Sequence, residues 1–182
     1  MLRKRDHIYN ELLVIKCQQN DRAAFEELVD RWQGRLWGYA FKMTGCETAA
    51  WDAVQETWCS VIKGLRKLDD VGLFPCWVFR ILNNKCADFQ RKQKLKSRLH
   101  NDFESKIREN QTQNSNEKTD LLESAVEKLP PDRKVLITLR YREDFNISQI
   151  AEILDIPAGT VKSRLNRTIS TLRQLMEQNK NG

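Results

Sequence analysis

DIPAGTVKSRLNR, residues Asp155 to Arg167, opens with a proline and a glycine where a chain would turn, then becomes basic on one side and apolar on the other. Pro157 suits the first turn of a helix, where its missing N–H has no partner to lose. Val161, Leu165, Ile169, Leu172 and Met176 then recur at helical spacing as one apolar stripe. At about 100° per residue, Thr160, Ser163, Arg164 and Arg167 fall on a different, contiguous face, with Lys162 and Asn166 beside it. No acidic residue occurs between Asp155 and Glu177. Gly159 leaves the helix start open, so its amides can approach a phosphate.

Upstream of the turn, Asn146-Ile147-Ser148-Gln149 reads as a capping box opening a short helix from Ile147 to Leu154. Asp155 follows, at a place that calls for a left-handed residue, which Asp tolerates better than most non-glycines. A short capped helix, a tight turn and a second helix with one buried and one cationic, hydroxyl-bearing side make a helix-turn-helix. Such a second helix fits a DNA major groove: Arg can bond guanine bidentately, while Lys and Ser position phosphates.

Working outward, Pro130 and Pro131 break the chain, and Val135, Leu136, Leu139 and Tyr141 give a short amphipathic helix. Before them, residues 108–120, RENQTQNSNEKTD, contain no apolar side chain, which predicts a flexible tether. Its N-terminal flank is again helical. Phe25, Leu28, Val29, Trp32, Leu36, Ala40 and Met43 predict a helix capped by Asp21 and stopped at Thr44-Gly45. A second runs from about Thr48 to Leu68 and buries Val54, Trp58, Val61 or Ile62, and Leu65. A third starts near Phe74-Pro75 and reaches Phe89. All five tryptophans (Trp32, Trp37, Trp51, Trp58, Trp77) lie in this half, and most are expected to fill its core. The fold class is therefore all-α: helical domains at 1–100 and 121–182, joined by a linker at 101–120.

Charge follows the same division. The chain of 182 residues carries +6. Residues 1–100 hold 18 Lys+Arg against 12 Asp+Glu, residues 101–127 hold 3 against 7, and residues 128–182 hold 10 against 6. Two basic ends around an acidic middle suit polyanion binding at two places. No run approaches the ~18–20 apolar residues of a membrane span, and the N-terminus does not read as a signal peptide, so a cytoplasmic protein is expected. The five cysteines (Cys17, Cys46, Cys59, Cys76, Cys86) form no C-x-x-C pair and are expected to be reduced core residues. Neither a metal site nor a cofactor is expected. No glycine loop for phosphates and no nucleophile with a paired histidine suggests an enzyme.

ISQIAEILDIPAGTVKSRLNRTISTLR resembles the fourth conserved region of bacterial sigma factors of the extracytoplasmic-function (ECF) group, commonly EEIAEILGIPxGTVKSRLxRAxxxLR, with Asp155 in place of the usual glycine. That resemblance implies recognition of the upstream promoter element by Thr160, Lys162, Ser163, Arg164 and Arg167. WDAVQETW is similar to the family's DLVQETF stretch and implies that Asp52, Gln55 and Glu56 bind core RNA polymerase; Ala49 stands where the family often has another acid. CWVFRILNNKCADFQRK is similar to TWLYRIARNxAxDxxRR. There the resemblance implies opening of the downstream element and capture of an extruded base by Trp77, Arg80, Asn84, Arg91 and Lys92, with Asn84 at the base edge. A place in the core is an equal expectation for Trp77. Lys94, Lys96 and Arg98 continue the basic run. The resemblance further implies promoter DNA and an anti-sigma protein as partners. Two other functions stay open: a helix-turn-helix regulator that works without polymerase, and a thiol-based redox protein.

Overall fold

The computed structural model describes residues 2–99, 122 and 124–180, which are mostly helical, with no strand among them. The expected tether at 101–120 lies outside the described residues. The chain divides into two compact units, Met1–Lys94 and Leu95–Gly182.

In the first unit, α1 (Leu2–Gln18) leads through a short turn into α2 (Arg22–Thr44). Asn20 takes the left-handed conformation (φ 67°), and Asp21 then caps α2, its Oδ1 accepting from the Ala24 amide at 3.0 Å. Gly45 (φ 65°) ends α2, as expected of a glycine there. Next come α3 (Glu47–Gly64), two 3-10 turns (Leu65–Lys67 and Val71–Leu73) and α4 (Phe74–Leu99). Ala49, Ala50 and Ala53 are all buried on α3, so its backbone can lie close to its neighbours. The core is Leu28, Trp32, Leu36 and Tyr39 of α2, Val54 and Val61 of α3, and Phe74, Val78, Phe79 and Leu82 of α4, with Leu13 and Val14 of α1.

Three expectations need correction here, and one open alternative is decided. The second helix stops at Gly64, four residues before Leu68: the chain tightens into a 3-10 turn in which the Leu68 amide donates to the Leu65 carbonyl (3.2 Å), and Gln18 Nε2 donates to the Leu65 and Leu68 carbonyls (3.0 and 2.8 Å). Of the pair Val61 and Ile62, Val61 is buried and Ile62 is exposed. Only Trp32 and Trp58 are buried tryptophans; Trp37 and Trp77 are half-buried and Trp51 is exposed. Cys76 and Cys86 are core residues, but Cys59 is exposed and Cys17 and Cys46 are half-buried; all five are free thiols.

In the second unit, a helical turn at 124–127 precedes α5 (Pro131–Ile137), a π-helical turn (Thr138–Arg142), α6 (Ile147–Leu154) and α7 (Ala158–Lys180). Leu139, Ile150, Ile153, Val161 and Leu165 fill an aliphatic core, continued by Ala125, Leu129 and Leu172. The reading of Tyr141 as part of the apolar stripe needs correction: it follows buried Leu139 by two residues, about 200° around the helix, and is 63% exposed. The Glu143 amide reaches back to the Thr138 carbonyl (3.0 Å) and closes the π turn.

Candidate nucleic-acid interface

The capping box is formed in both directions. Asn146 Oδ1 accepts from the Gln149 amide, and Gln149 Oε1 accepts from the Asn146 amide, each at 2.9 Å. Asp155 sits in the left-handed region (φ 54°, ψ 48°), and the Ile156 amide closes back on the Ala151 carbonyl at 3.1 Å. Pro157 stands one position ahead of the place expected for it. It precedes α7, and its carbonyl accepts from the amides of Thr160 (2.9 Å) and Val161 (3.1 Å). Lacking an N–H costs nothing at either position.

Val161 and Leu165 anchor the inner side of α7. Lys162, Ser163, Arg164, Asn166 and Arg167 are exposed together on its outer side, while Thr160 is half-buried at the edge. Ser163 Oγ donates to the Thr160 carbonyl at 3.0 Å, so its lone pairs point outward. Thr168, missed by sequence reasoning, is fully buried because its hydroxyl donates to the Arg164 carbonyl (2.7 Å), which disguises a polar residue as part of the apolar stripe. A β-carbon added at Gly159 would meet nothing within 4 Å.

On α4, Arg80, Asn84, Arg91 and Lys92 lie at or near the surface, and positions 77, 80, 84 and 91 follow helical spacing along one side. Arg91 Nη1 pairs with Asp88 Oδ1 at 3.0 Å, both well exposed, a contact weak enough to yield to a phosphate. Trp77 divides its surface. Its ring lies against Gly64, where an added β-carbon would stand 2.9 Å from Trp77 Cζ2, and tilts on Phe74 at 6.3 Å; the rest is open. The side chains of Lys94, Lys96 and Arg98 carry no part of this description.

Asp52, Gln55 and Glu56 are all exposed on one side of α3, opposite buried Val54 and Trp58. Glu56 Oε2 also pairs with Lys85 Nζ of α4 at 3.1 Å. Beside this acidic face lies an aromatic cluster whose tryptophans count among the expected core residues. Trp37 stacks on Phe41 at 5.2 Å and tilts on Trp51 at 5.9 Å, with Phe41 and Trp51 about 40% exposed.

The thiols differ in chemistry. A hydrogen bond with Thr48, aided by the Ala49 amide at the α3 start, lowers the Cys46 pKa. Burial pushes Cys86 up to about 12 and Cys17 to about 11, the latter helped by Asp21. Among the described residues, no group of three or more metal-ligating side chains converges.

Two family models match the chain: Sigma-70 region 2 over residues 28–96 and Sigma-70, region 4 over residues 119–172, together more than half of it. The ECF RNA polymerase sigma factor SigW of Bacillus subtilis is 28% identical over 174 residues, covering 87% of this chain and 92% of its own. The ECF RNA polymerase sigma-E factor of Haemophilus influenzae is 29% identical over 175 residues, covering 89% and 92%. Among solved structures, the sigma factor RpoE, in complex with the anti-sigma factor NepR from Bartonella quintana, superposes with a TM-score of 0.69 at 21% identity over 84% of this chain and 96% of its own. CnrH, in complex with the cytosolic domain of CnrY, does so with a TM-score of 0.64 at 23% identity over 93% and 98%. The likeness to these structures carries the fold, and the two matched regions carry the kinship: this chain belongs to the sigma-70 family, in its ECF group.

Proposed function

We infer that this protein binds core RNA polymerase and directs it to begin transcription at particular promoters. The observation that carries this reading is the α7 face, exposed and free of acids, standing behind a left-handed turn and a fully capped α6. DNA presents one negative charge about every 1.7 Å of its axis. A helix with Lys162, Arg164 and Arg167 outward suits its major groove, and Thr160 and Ser163 add hydroxyls for phosphates or base edges. This half, 121–182, is the upstream-element reader.

The half 1–100 serves two surfaces. Asp52, Gln55 and Glu56 of α3 are the grip on core polymerase. Arg80, Asn84, Arg91 and Lys92 of α4, with the open part of Trp77, engage the downstream element as it melts. Unstacking costs about a few kcal/mol per base step, and the freed strand must return that energy by stacking, amide contacts to base edges and cation contacts to phosphates. Asn84 supplies the base-edge contact to the extruded base.

Polymerase performs the chemistry, so the protein is an initiation factor and not an enzyme, and its place is the cytoplasm. No helix among the described residues is long and apolar enough to cross a membrane. RpoE was solved in complex with the anti-sigma factor NepR, and CnrH in complex with the cytosolic domain of CnrY. By extension an anti-sigma protein restrains this chain by covering its polymerase-binding face.

Run-off transcription with purified core polymerase on a promoter library is the test. A defined start that appears only when the chain is added is the expected result. Arg164→Ala should weaken upstream-element binding by about 10- to 100-fold, the ~1–3 kcal/mol of a base contact. Binding to DNA with no capture of core polymerase would instead favour a free-standing regulator, in which the α3 face has no purpose.

A further inference from the structure

Asn83 and Asn84 are neighbours on α4 with opposite fates. Asn84 lies on the surface, whereas Asn83 is 8% exposed and Tyr39, its partner across the helix seam, is 1% exposed. Tyr39 Oη donates to Asn83 Oδ1 at 3.0 Å. Adjacent helix positions differ by about 100°, so a roll of α4 by even a small part of that angle displaces Asn84 from its present place on the surface.

The rest of the seam between α2 and α4 is largely apolar at this point. Trp32 meets Phe74 and Phe79 edge-on at 5.3 and 6.4 Å, and Tyr39 meets Phe79 at 5.3 Å. Apolar burial is non-directional and tolerates small slides. A buried hydrogen bond forms in one geometry, and missing it strands two desolvated polar groups. Further along, Gln90, seven residues after Asn83 and on the same face of α4, donates its Nε2 to the Met43 carbonyl at 2.6 Å and holds the far end of the helix in the same sense. Burial raises the Tyr39 phenol well above its ordinary pKa, so the donor keeps its proton.

We propose that Tyr39 and Asn83 are positioning residues for promoter opening: their hydrogen bond fixes the roll of α4 that presents Asn84, with Arg80, to the captured base. Neither touches DNA. The proposal rests on the reading of Asn84 as the base-edge contact.

The test uses holoenzyme made with the full chain, on promoters in which each position of the downstream element is changed to each of the four bases. Base selectivity is the ratio of transcript from the best to the worst base at each position. Tyr39→Phe and Asn83→Leu are each expected to flatten selectivity at the captured position by about fivefold or more, from misplacing a base contact. Thermal unfolding is followed in parallel. Tyr39→Phe combined with Asn83→Leu removes both polar partners in nearly the same shape and should regain stability, yet stay unselective, because the apolar packing left at this point of the seam tolerates small rolls. Recovery of selectivity together with stability in the double variant overturns the proposal, as does full selectivity in Tyr39→Phe while Asn84→Ala is unselective. Full selectivity in Asn84→Ala overturns the base-edge reading itself, and the proposal with it.

Discussion

α4 and α7 each carry a row of cations and amides, yet different forces decide which way those rows face. On α7 the decision is made within a few residues: the Asn146–Gln149 box, left-handed Asp155 and the Pro157 carbonyl set where the helix starts, and Val161 and Leu165 set its roll. On α4 it is made from far along the chain, by Trp32 against Phe74 and Phe79, Tyr39 against Asn83, and Gln18 holding the Leu65 and Leu68 carbonyls before the helix begins. The first unit depends on tertiary packing of aromatics, and the second on backbone signals and a small aliphatic core. Because every tryptophan lies in the first unit, tryptophan fluorescence reports its unfolding alone, while far-UV circular dichroism reports both units. That separation lets each claim be broken independently.

The largest effect is expected from Trp32→Ala. The ring is 1% exposed, and its loss should cost about 3–5 kcal/mol, lowering the fluorescence-detected transition. The part of the dichroism transition that belongs to the second unit should stay in place. If it moves equally, the units share their stability and the contrast fails.

Gly64→Ala comes next. Alanine is the better helix former by about 1 kcal/mol, so propensity alone predicts a gain. The 2.9 Å approach of a new β-carbon to the Trp77 ring predicts the opposite, a net loss of about 1–3 kcal/mol by overpacking. A stabilised variant would show that Trp77 swings away freely and belongs to the surface more than to the core.

Asn146→Ala tests the other unit. Losing the side-chain half of the capping box should cost about 1 kcal/mol, visible by dichroism and silent in fluorescence.

The same contrast explains which features are legible in the sequence. Asp21, Gly45, Asn146 and Asp155 act through backbone geometry within a few residues, so their residue types alone announce the helix ends and the helix-turn-helix. The α7 face is readable for the same reason. Choices that depend on a partner dozens of residues away are not. Val61 and Ile62 are equivalent by composition, as are Asn83 and Asn84, and only the packed neighbours separate them. Trp37 and Trp51 look like core because tryptophan usually is, but their rings meet each other and Phe41 at the surface instead. Tyr141 stands about 200° from Leu139 on a regular helix, so the period itself places it outside the stripe.

The smallest effect is expected at Asp155, where two terms nearly cancel. A left-handed backbone costs an L-residue roughly 1–2 kcal/mol, less for Asp, and Asp155→Gly removes that cost. Glycine returns part of the gain as unfolded-chain entropy, about 0.5–1 kcal/mol. The carboxylate stands between the α6 C-terminus, where a negative charge is unfavourable, and the start of α7, where it is favourable, so its two dipole contributions oppose each other. The net should be a stabilisation of the second unit by about 0.5 kcal/mol that changes little with added salt, since salt screens both opposed charge contributions and leaves the backbone one untouched. Dichroism melts of the two proteins across a salt series would measure it. A loss of stability that persists at high salt would mean that Asp155 makes a short-range bond outweighing its backbone cost, and that the turn into α7 is held by a side chain as well as by the path of the main chain.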